Sequence, residues 1–108
     1  MLRTLTLNGQ QELEFLVDTG FEGELALPKS YATIFGTSHM FFDAEYADGV
    51  KAPAMAIACQ IDWLHGSRDV TAMYIDGRSP LLGMELLDSC IVTIETEGGV
   101  GSITIESV

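Results

Sequence analysis

Two short segments, far apart in the chain, constrain its fold more than any other feature. An apolar run that ends at Val17 is followed directly by the triplet Asp18-Thr19-Gly20. Much later, the triplet Leu81-Leu82-Gly83 again joins an apolar run to a glycine. An acid at the end of a buried strand requires a reason, because carboxylates are rarely buried without a partner. The two triplets therefore mark the candidate functional segments of the chain.

The composition is that of one globular domain. The 108 residues are 47% hydrophobic and 19% charged, which suffices for one modest core and predicts a single domain over residues 1–108. The formal net charge is -11 with only five Lys and Arg, which disfavours nucleic acid and anionic membranes as partners. We interpret the acids as keeping the protein in solution, and a preference for basic substrates is the weaker alternative.

The pattern of polar and apolar residues predicts a mostly β chain with short helices. Asn8-Gly9 and Asp48-Gly49 are pairs typical of tight hairpin turns. A short helix is predicted to begin at Pro28, to pack through Tyr31, Ile34 and Phe35, and to end at Gly36, and one or two helical turns are predicted at 84–89. Strands are predicted at residues 4–7, 12–17, 25–27, 40–47, 50–61, 70–75, 90–94 and 102–106, and the strand at 90–94 is expected to be buried.

The middle of the chain is predicted to form a long hairpin with Asp48-Gly49 at its tip. Pro53 lies in the returning arm and cannot donate a hydrogen bond to a strand ladder. This part of the hairpin should therefore lie at a sheet edge or away from the sheet. On the residues alone, an ordinary surface hairpin is the simpler interpretation, and a flap over a cleft is the alternative.

The cysteines and histidines suggest neither a disulfide nor a metal site. Cys59 and Cys90 lie inside apolar runs, which predicts two buried free thiols in a reducing cytoplasm. The sequence shows no recognisable secretory signal and no apolar stretch of membrane-spanning length. His39 and His65 lack metal-ligand spacing with the cysteines, so no metal and no cofactor are expected.

Four segments together resemble the retropepsin-like aspartic proteases. They are residues 15–20, 25–28, 47–49 and 80–87, which occur in the order and approximate spacing of that family. The resemblance extends over most of the chain and is to the small prokaryotic branch of clan AA, similar to the half-length viral and retrotransposon enzymes. It implies an all-β fold, a closed β-barrel with short helices, and an active site shared by two chains.

The resemblance also implies which residues act. Asp18, Thr19 and Gly20 would be the catalytic loop, and Asp18 would be the catalytic acid. One chain carries only one such triplet, so a pair of acids around a water requires a homodimer. Gly83 is expected to let its segment pass beneath the loop without a side chain colliding with it. The implied substrate-binding residues are Phe21, Ala47, Asp48, Gly49, Leu82 and Gly83.

Two functions from different classes remain open at this point. The first is an endopeptidase that acts on peptides or unfolded proteins without a cofactor. The second is a retropepsin-like module that dimerises or binds peptides without efficient catalysis. The bulky Phe21 and the tip Ala47-Asp48-Gly49, where viral enzymes have small residues and glycines, favour the second. The intact Asp18-Thr19-Gly20 favours the first, because a binding module has no physical need for two facing acids.

Overall fold

The computed structural model describes residues 2–36, 40–45, 51–64, 66–88, 90–97 and 100–107. Strands account for most of these residues, as the sequence predicts. The strands are β1 Leu2–Leu7, β2 Gln11–Val17, β3 Leu25–Pro28, β4 Met40–Glu45, β5 Lys51–Trp63, β6 Gly66–Ile75, β7 Leu81–Leu82, β8 Cys90–Glu97 and β9 Val100–Ser107. The helices are a 3-10 turn at Lys29–Tyr31, which continues into α1 Ala32–Phe35, and α2 Met84–Leu87.

Six strands close into a barrel in the order β1, β2, β7, β3, β6 and β5, and β5 pairs back to β1 where Ile61 lies opposite Leu7. Asn8 reinforces this closure. Its amide donates a hydrogen bond to the Gln60 carbonyl oxygen (2.7 Å), and its side-chain Oδ1 accepts one from the Gln60 amide (3.0 Å). Because the ring is closed, these strands satisfy one another's backbone hydrogen bonds. β4 lies outside the ring against β5, and β8 and β9 form a separate two-stranded sheet.

The turn between β1 and β2 forms where the sequence predicts it. Asn8 has φ 53° and Gly9 has φ 70°, the left-handed backbone that the Asn-Gly pair tolerates better than other residues. The Gln10 amide donates to the Leu7 carbonyl oxygen at 3.1 Å, which completes the turn.

The hydrophobic core fills the barrel. In β2, Phe15 is fully buried and Leu13 and Val17 pack against the core, whereas Leu16 on the opposite face is 37% exposed. This is the alternation that the sequence predicts for the strand. Other strands contribute the fully buried side chains Leu7, Leu25, Leu27, Ile61 and Leu82, and α2 contributes Leu86.

Three predictions, one about the start of a helix and two about burial, are wrong. Pro28 ends β3 instead of beginning the helix, and Ile34 of α1 is 57% exposed while Tyr31 and Phe35 pack against the core. The strand predicted to be buried at 90–94 exposes about half of Ile91 and of Ile94. The reason is that β8 pairs with β9 alone among the described residues, so one chain does not cover the whole of this hairpin.

The hairpin of β4 and β5 extends beyond the barrel. The two strands pair from Met40 opposite Ala56 to Glu45 opposite Lys51. β6 begins to pair with β5 only at Ala56, so within the described part of the chain residues 51–55 pair with β4 alone. Pro53 lies in this stretch, which confirms that its part of the hairpin is at the edge. The predicted tip lies outside the described residues.

No helix among the described residues has the length and apolarity to cross a membrane. Both cysteines are free thiols, as predicted. Cys59 is buried, but Cys90 is only half-buried.

Candidate active site

Asp18 lies directly after β2, where the chain leaves the barrel. Its amide donates a hydrogen bond to the Leu82 carbonyl oxygen on β7 (3.0 Å), and its own carbonyl oxygen accepts one from the Phe21 amide (3.2 Å). The Gly20 amide donates to Oδ1 of the Asp18 carboxylate at 2.9 Å. The Asp18 side chain is half-buried, while Thr19 and Gly20 are exposed. The main chain thus holds the carboxylate in one orientation at the surface of the barrel.

The second triplet passes directly beneath this loop. Leu82 lies between two strands, opposite Val17 of β2 and Leu25 of β3. The Gly83 amide then donates to the Glu24 carbonyl oxygen at 2.9 Å. A Cβ atom at Gly83 would lie 2.1 Å from the Gly23 carbonyl oxygen, a distance at which the backbone would have to move. The structure therefore confirms that a side chain at Gly83 would collide with the loop.

The Phe21 ring is accommodated by two glycines. Ring atoms of Phe21 lie 2.6 Å from the positions that a Cβ would take at Gly23 and at Gly83. The same loop is bonded to the start of α2, since the Met84 amide donates to the Phe21 carbonyl oxygen (2.8 Å) and the Glu85 amide to that of Gly23 (3.2 Å). The Phe21 ring therefore packs against the main chain at two glycines, where no side chain obstructs it.

Sequence reasoning does not single out Glu24, whose side chain connects the far end of the loop to β6. Its Oε1 accepts a hydrogen bond from the Thr71 amide (3.0 Å), and its Oε2 lies 3.4 Å from Arg68 Nη2. Burial raises the pKa of the neighbouring Cys59 thiol to about 11, and the negative charge of Glu24 adds to this shift. Thr71 and Arg68 are 47 and 44 residues away in sequence, so only the tertiary fold reveals this arrangement.

An apolar patch adjoins Asp18. Leu2 of β1 and Leu81 of β7 lie on either side of Leu16 in the sheet, so the three side chains share one face. Leu2 is 58% exposed, and Leu81 is half-buried. Contiguous apolar surface of this kind often marks a site that binds a ligand or another protein. Leu16 precedes Asp18 by two residues, which places this surface beside the carboxylate.

Comparison with known proteins identifies the fold. No family model and no curated protein matches the chain. Among solved structures, it is similar to a retropepsin-like aspartic protease from Rickettsia conorii, with a TM-score of 0.64 and 18% identity over 96% of this chain and 83% of that chain. It is also similar to EIAV protease complexed with the inhibitor HBY-793, with a TM-score of 0.61 and 16% identity over 82% of this chain and 85% of that one. The chain has the retropepsin fold.

The retropepsin fold brings together some of the residues predicted for the site. Asp18, Thr19 and Gly20 form the loop at the end of β2, and Phe21 lies half-buried beside them. Leu82 and Gly83 are both buried beneath the loop, where they support it. Ala47, Asp48 and Gly49 lie outside the described residues. Within the described part of the chain, no three His, Cys, Asp or Glu side chains are grouped to hold a metal ion.

Proposed function

We propose that the protein is a homodimeric aspartic endopeptidase in which two copies each supply Asp18. The observation that carries this proposal is the hydrogen-bonded placement of the Asp18 carboxylate, at the end of β2, in a retropepsin fold. In this mechanism one Asp18 is ionised and takes a proton from a bound water, while its protonated counterpart polarises the peptide carbonyl. Two adjacent carboxyls share one proton because ionising both is costly, so the pair acts as a unit.

The need for two copies follows from the single Asp18-Thr19-Gly20 triplet. Support comes from the hairpin of β8 and β9, whose strands pair only with each other among the described residues. Exposed Ile94, on the same face of β8 as Val92, provides apolar surface that a second copy can cover. A two-fold axis that passes between the loops would bring the two Asp18 carboxyls together.

The substrate in this proposal is a peptide or an unfolded protein. The exposed patch of Leu2, Leu16 and Leu81 supports binding of apolar side chains next to the scissile bond. The hairpin of β4 and β5, which extends beyond β6, is proposed to act as a flap, with Ala47-Asp48-Gly49 at its tip. A flap of this kind excludes water and positions the substrate.

A reducing compartment, the cytoplasm, is proposed as the location. The supporting observation is that Cys59 and Cys90 are both free thiols. Disulfides form and persist chiefly in oxidising compartments, so free thiols fit a reducing one.

A peptide-binding module without efficient catalysis is the competing hypothesis. One argument for it is steric, because a bulky residue at position 21 can obstruct the cleft. The packing of the Phe21 ring against Gly23 and Gly83 weakens that argument. The peptidase is therefore the function that we prefer.

The test is cleavage of an unfolded protein mixture at mildly acidic pH by the wild type and by Asp18→Asn. We expect the variant to lose activity by roughly 100-fold or more, because an amide cannot act as the base. Its circular dichroism and unfolding curve should match those of the wild type, since the two side chains are nearly isosteric. Asp62→Asn, the same change at an exposed position of β5, should leave cleavage unaltered. Undiminished cleavage by Asp18→Asn would reject the mechanism.

A further inference from the structure

A cavity of about 190 Å³ lies between the catalytic loop, the strands β3 and β6, and the start of α2. Its wall is mostly apolar and includes Phe21, Leu25 and Met73. Two carboxylates, Glu24 and Glu85, also line it. An elongated occupant with an alkyl portion and a positively charged end would match both kinds of lining.

Glu24 and Glu85 differ in how far a nearby positive group neutralises the charge of the carboxylate. Glu24 has the Arg68 guanidinium 3.4 Å away and accepts the Thr71 amide. Glu85 lies in the first turn of α2, is exposed, and forms no ion pair within the described residues. Glu85 therefore supplies most of the uncompensated charge at the cavity. The net charge of -11 over the whole chain further favours a cation over an anion.

One wall of the cavity belongs to the loop that carries the proposed catalytic acid, Asp18. Phe21, which forms part of its wall, donates its amide hydrogen bond to the Asp18 carbonyl oxygen at 3.2 Å. The cavity wall and the carboxylate thus belong to the same loop, three residues apart, within reach of neighbouring side chains of one extended peptide. Lysine and arginine are the amino acids whose methylene stems bury against apolar surface while the charged end stays at a polar rim.

We propose that this cavity binds a lysine or arginine side chain of the peptide substrate. The stem packs against Phe21, Leu25 and Met73, and the charged end lies at Glu85, with Glu24 as a secondary partner. Glu85 is thus a specificity-determining residue. This inference rests on the proposed function, because it identifies the occupant as part of a peptide held at Asp18.

The experiment uses the Asp18→Asn protein, so that peptides are bound but not cut. The probes are leucine- and alanine-based octapeptides in which a single lysine is moved one position at a time, each paired with a peptide that carries norleucine instead. Affinity is measured by fluorescence anisotropy, and amide shifts of Thr71 and Met73 are followed by NMR. In one register, the lysine peptide should bind about 10-fold more tightly than its norleucine partner, as expected for a hydrogen bond to a charged group.

Three variants identify the source of the preference. Glu85→Gln should bring the lysine-to-norleucine ratio close to one, whereas Glu12→Gln, which removes an exposed charge on β2, should leave the ratio unchanged. Arg68→Gln should increase the ratio, because it leaves the Glu24 charge unbalanced. The absence of a preferred register, or a ratio that Glu85→Gln leaves unchanged, overturns the inference. Amide shifts at the cavity that follow protein concentration alone also overturn it, because a second copy would then be the occupant.

The two proposals fail separately. If the wild type cleaves the peptides without any preference for lysine, the peptidase stands and the basic subsite is wrong. If the wild type cleaves nothing while the Glu85-dependent preference persists, the subsite stands and the peptidase is wrong.

Discussion

At the scale of single residues, Gly83 is the position where the loop and the barrel leave no room for a side chain. The nearest obstacle to a Cβ atom is the Gly23 carbonyl oxygen at 2.1 Å, with the Phe21 carbonyl oxygen at 2.7 Å. Both are backbone atoms, so relief requires movement of the loop that carries Asp18. The packing of this region and the position of the Asp18 loop therefore both depend on the absence of a side chain at Gly83.

We predict that Gly83→Ala lowers the free energy of unfolding by about 3 kcal/mol or more, as for a severe core overpacking. Urea denaturation measures this loss. Gly77→Ala is the matched control, because its new methyl would meet only the movable end of Ile75, at 3.1 Å, and it should cost less than about 0.5 kcal/mol. Equal stabilities of the two variants would show that the backbone of the loop can move away from residue 83 without a loss of stability.

A second residue-scale prediction concerns the buried Cys59 thiol. Burial raises its pKa from 9.0 to about 11, so the folded protein retains a proton that the unfolded chain releases. Stability is therefore intact below pH 9 and falls as the pH rises from 9 towards 11, by up to about 1.4 kcal/mol per pH unit from this group. Denaturation at several pH values should give a shallower decline for Cys59→Ala than for the wild type. Parallel declines would contradict the assignment.

At the scale of elements, the hairpin of β4 and β5 changes character along its length. From Ala56 onward β5 pairs with β6, which itself pairs with β3 inside the barrel. Residues 51–55 pair only with β4 among the described residues. A two-stranded ribbon is marginally stable by itself in water. The same strand therefore supplies a rigid barrel wall and a weakly supported arm.

We predict that the amides of Lys51, Ala52, Ala54 and Met55 exchange with solvent much faster than those of Ala72 and Tyr74 in β6, because the arm opens without unfolding the barrel. Hydrogen exchange by NMR measures this directly, and equal protection would count against a flap.

Gly49→Val should reduce turnover more than stability, since a β-branched residue resists the positive φ predicted for the tip. A variant that loses stability and turnover together would argue for an ordinary surface hairpin.

At the scale of the whole molecule, a single chain leaves the hairpin of β8 and β9 incompletely covered. Val92 and Ile105 lie opposite each other and face the core, as expected for its inner side. On the same side, Ile94 is 53% exposed. The inner apolar face thus continues beyond the core that one chain provides, which is the surface we assign to the homodimer.

We predict that Ile94→Glu weakens the dimer by about 10-fold or more, because dimerisation would bury an unpaired charge. Sedimentation velocity over a range of concentrations measures this, and peptidase activity should fall in parallel. Ile34→Glu, at an equally exposed isoleucine of α1, should leave association unchanged. A wild type that stays monomeric at high concentration with full activity would refute the shared active site.

The sequence by itself determined the elements that depend on local patterns. The Asn8-Gly9 turn, the alternation in β2 and the end of the helix at Gly36 all follow from neighbours in the chain, so their physical causes are readable there. Local patterns also placed Asp18 at a strand end, whereas the retropepsin-like arrangement of four segments and the role of Gly83 were predicted from the resemblance to that family.

Only the tertiary structure decided which distant groups meet. The contact of Glu24 with Arg68 and Thr71, the leucine patch beside Asp18 and the cavity with its two carboxylates join residues from separate strands. No local pattern encodes such contacts, because they arise from the register of the sheet and not from the period of any one strand. The incomplete burial of β8 has the same origin: alternation predicts an apolar face, but whether one chain covers that face depends on the shape of the whole barrel.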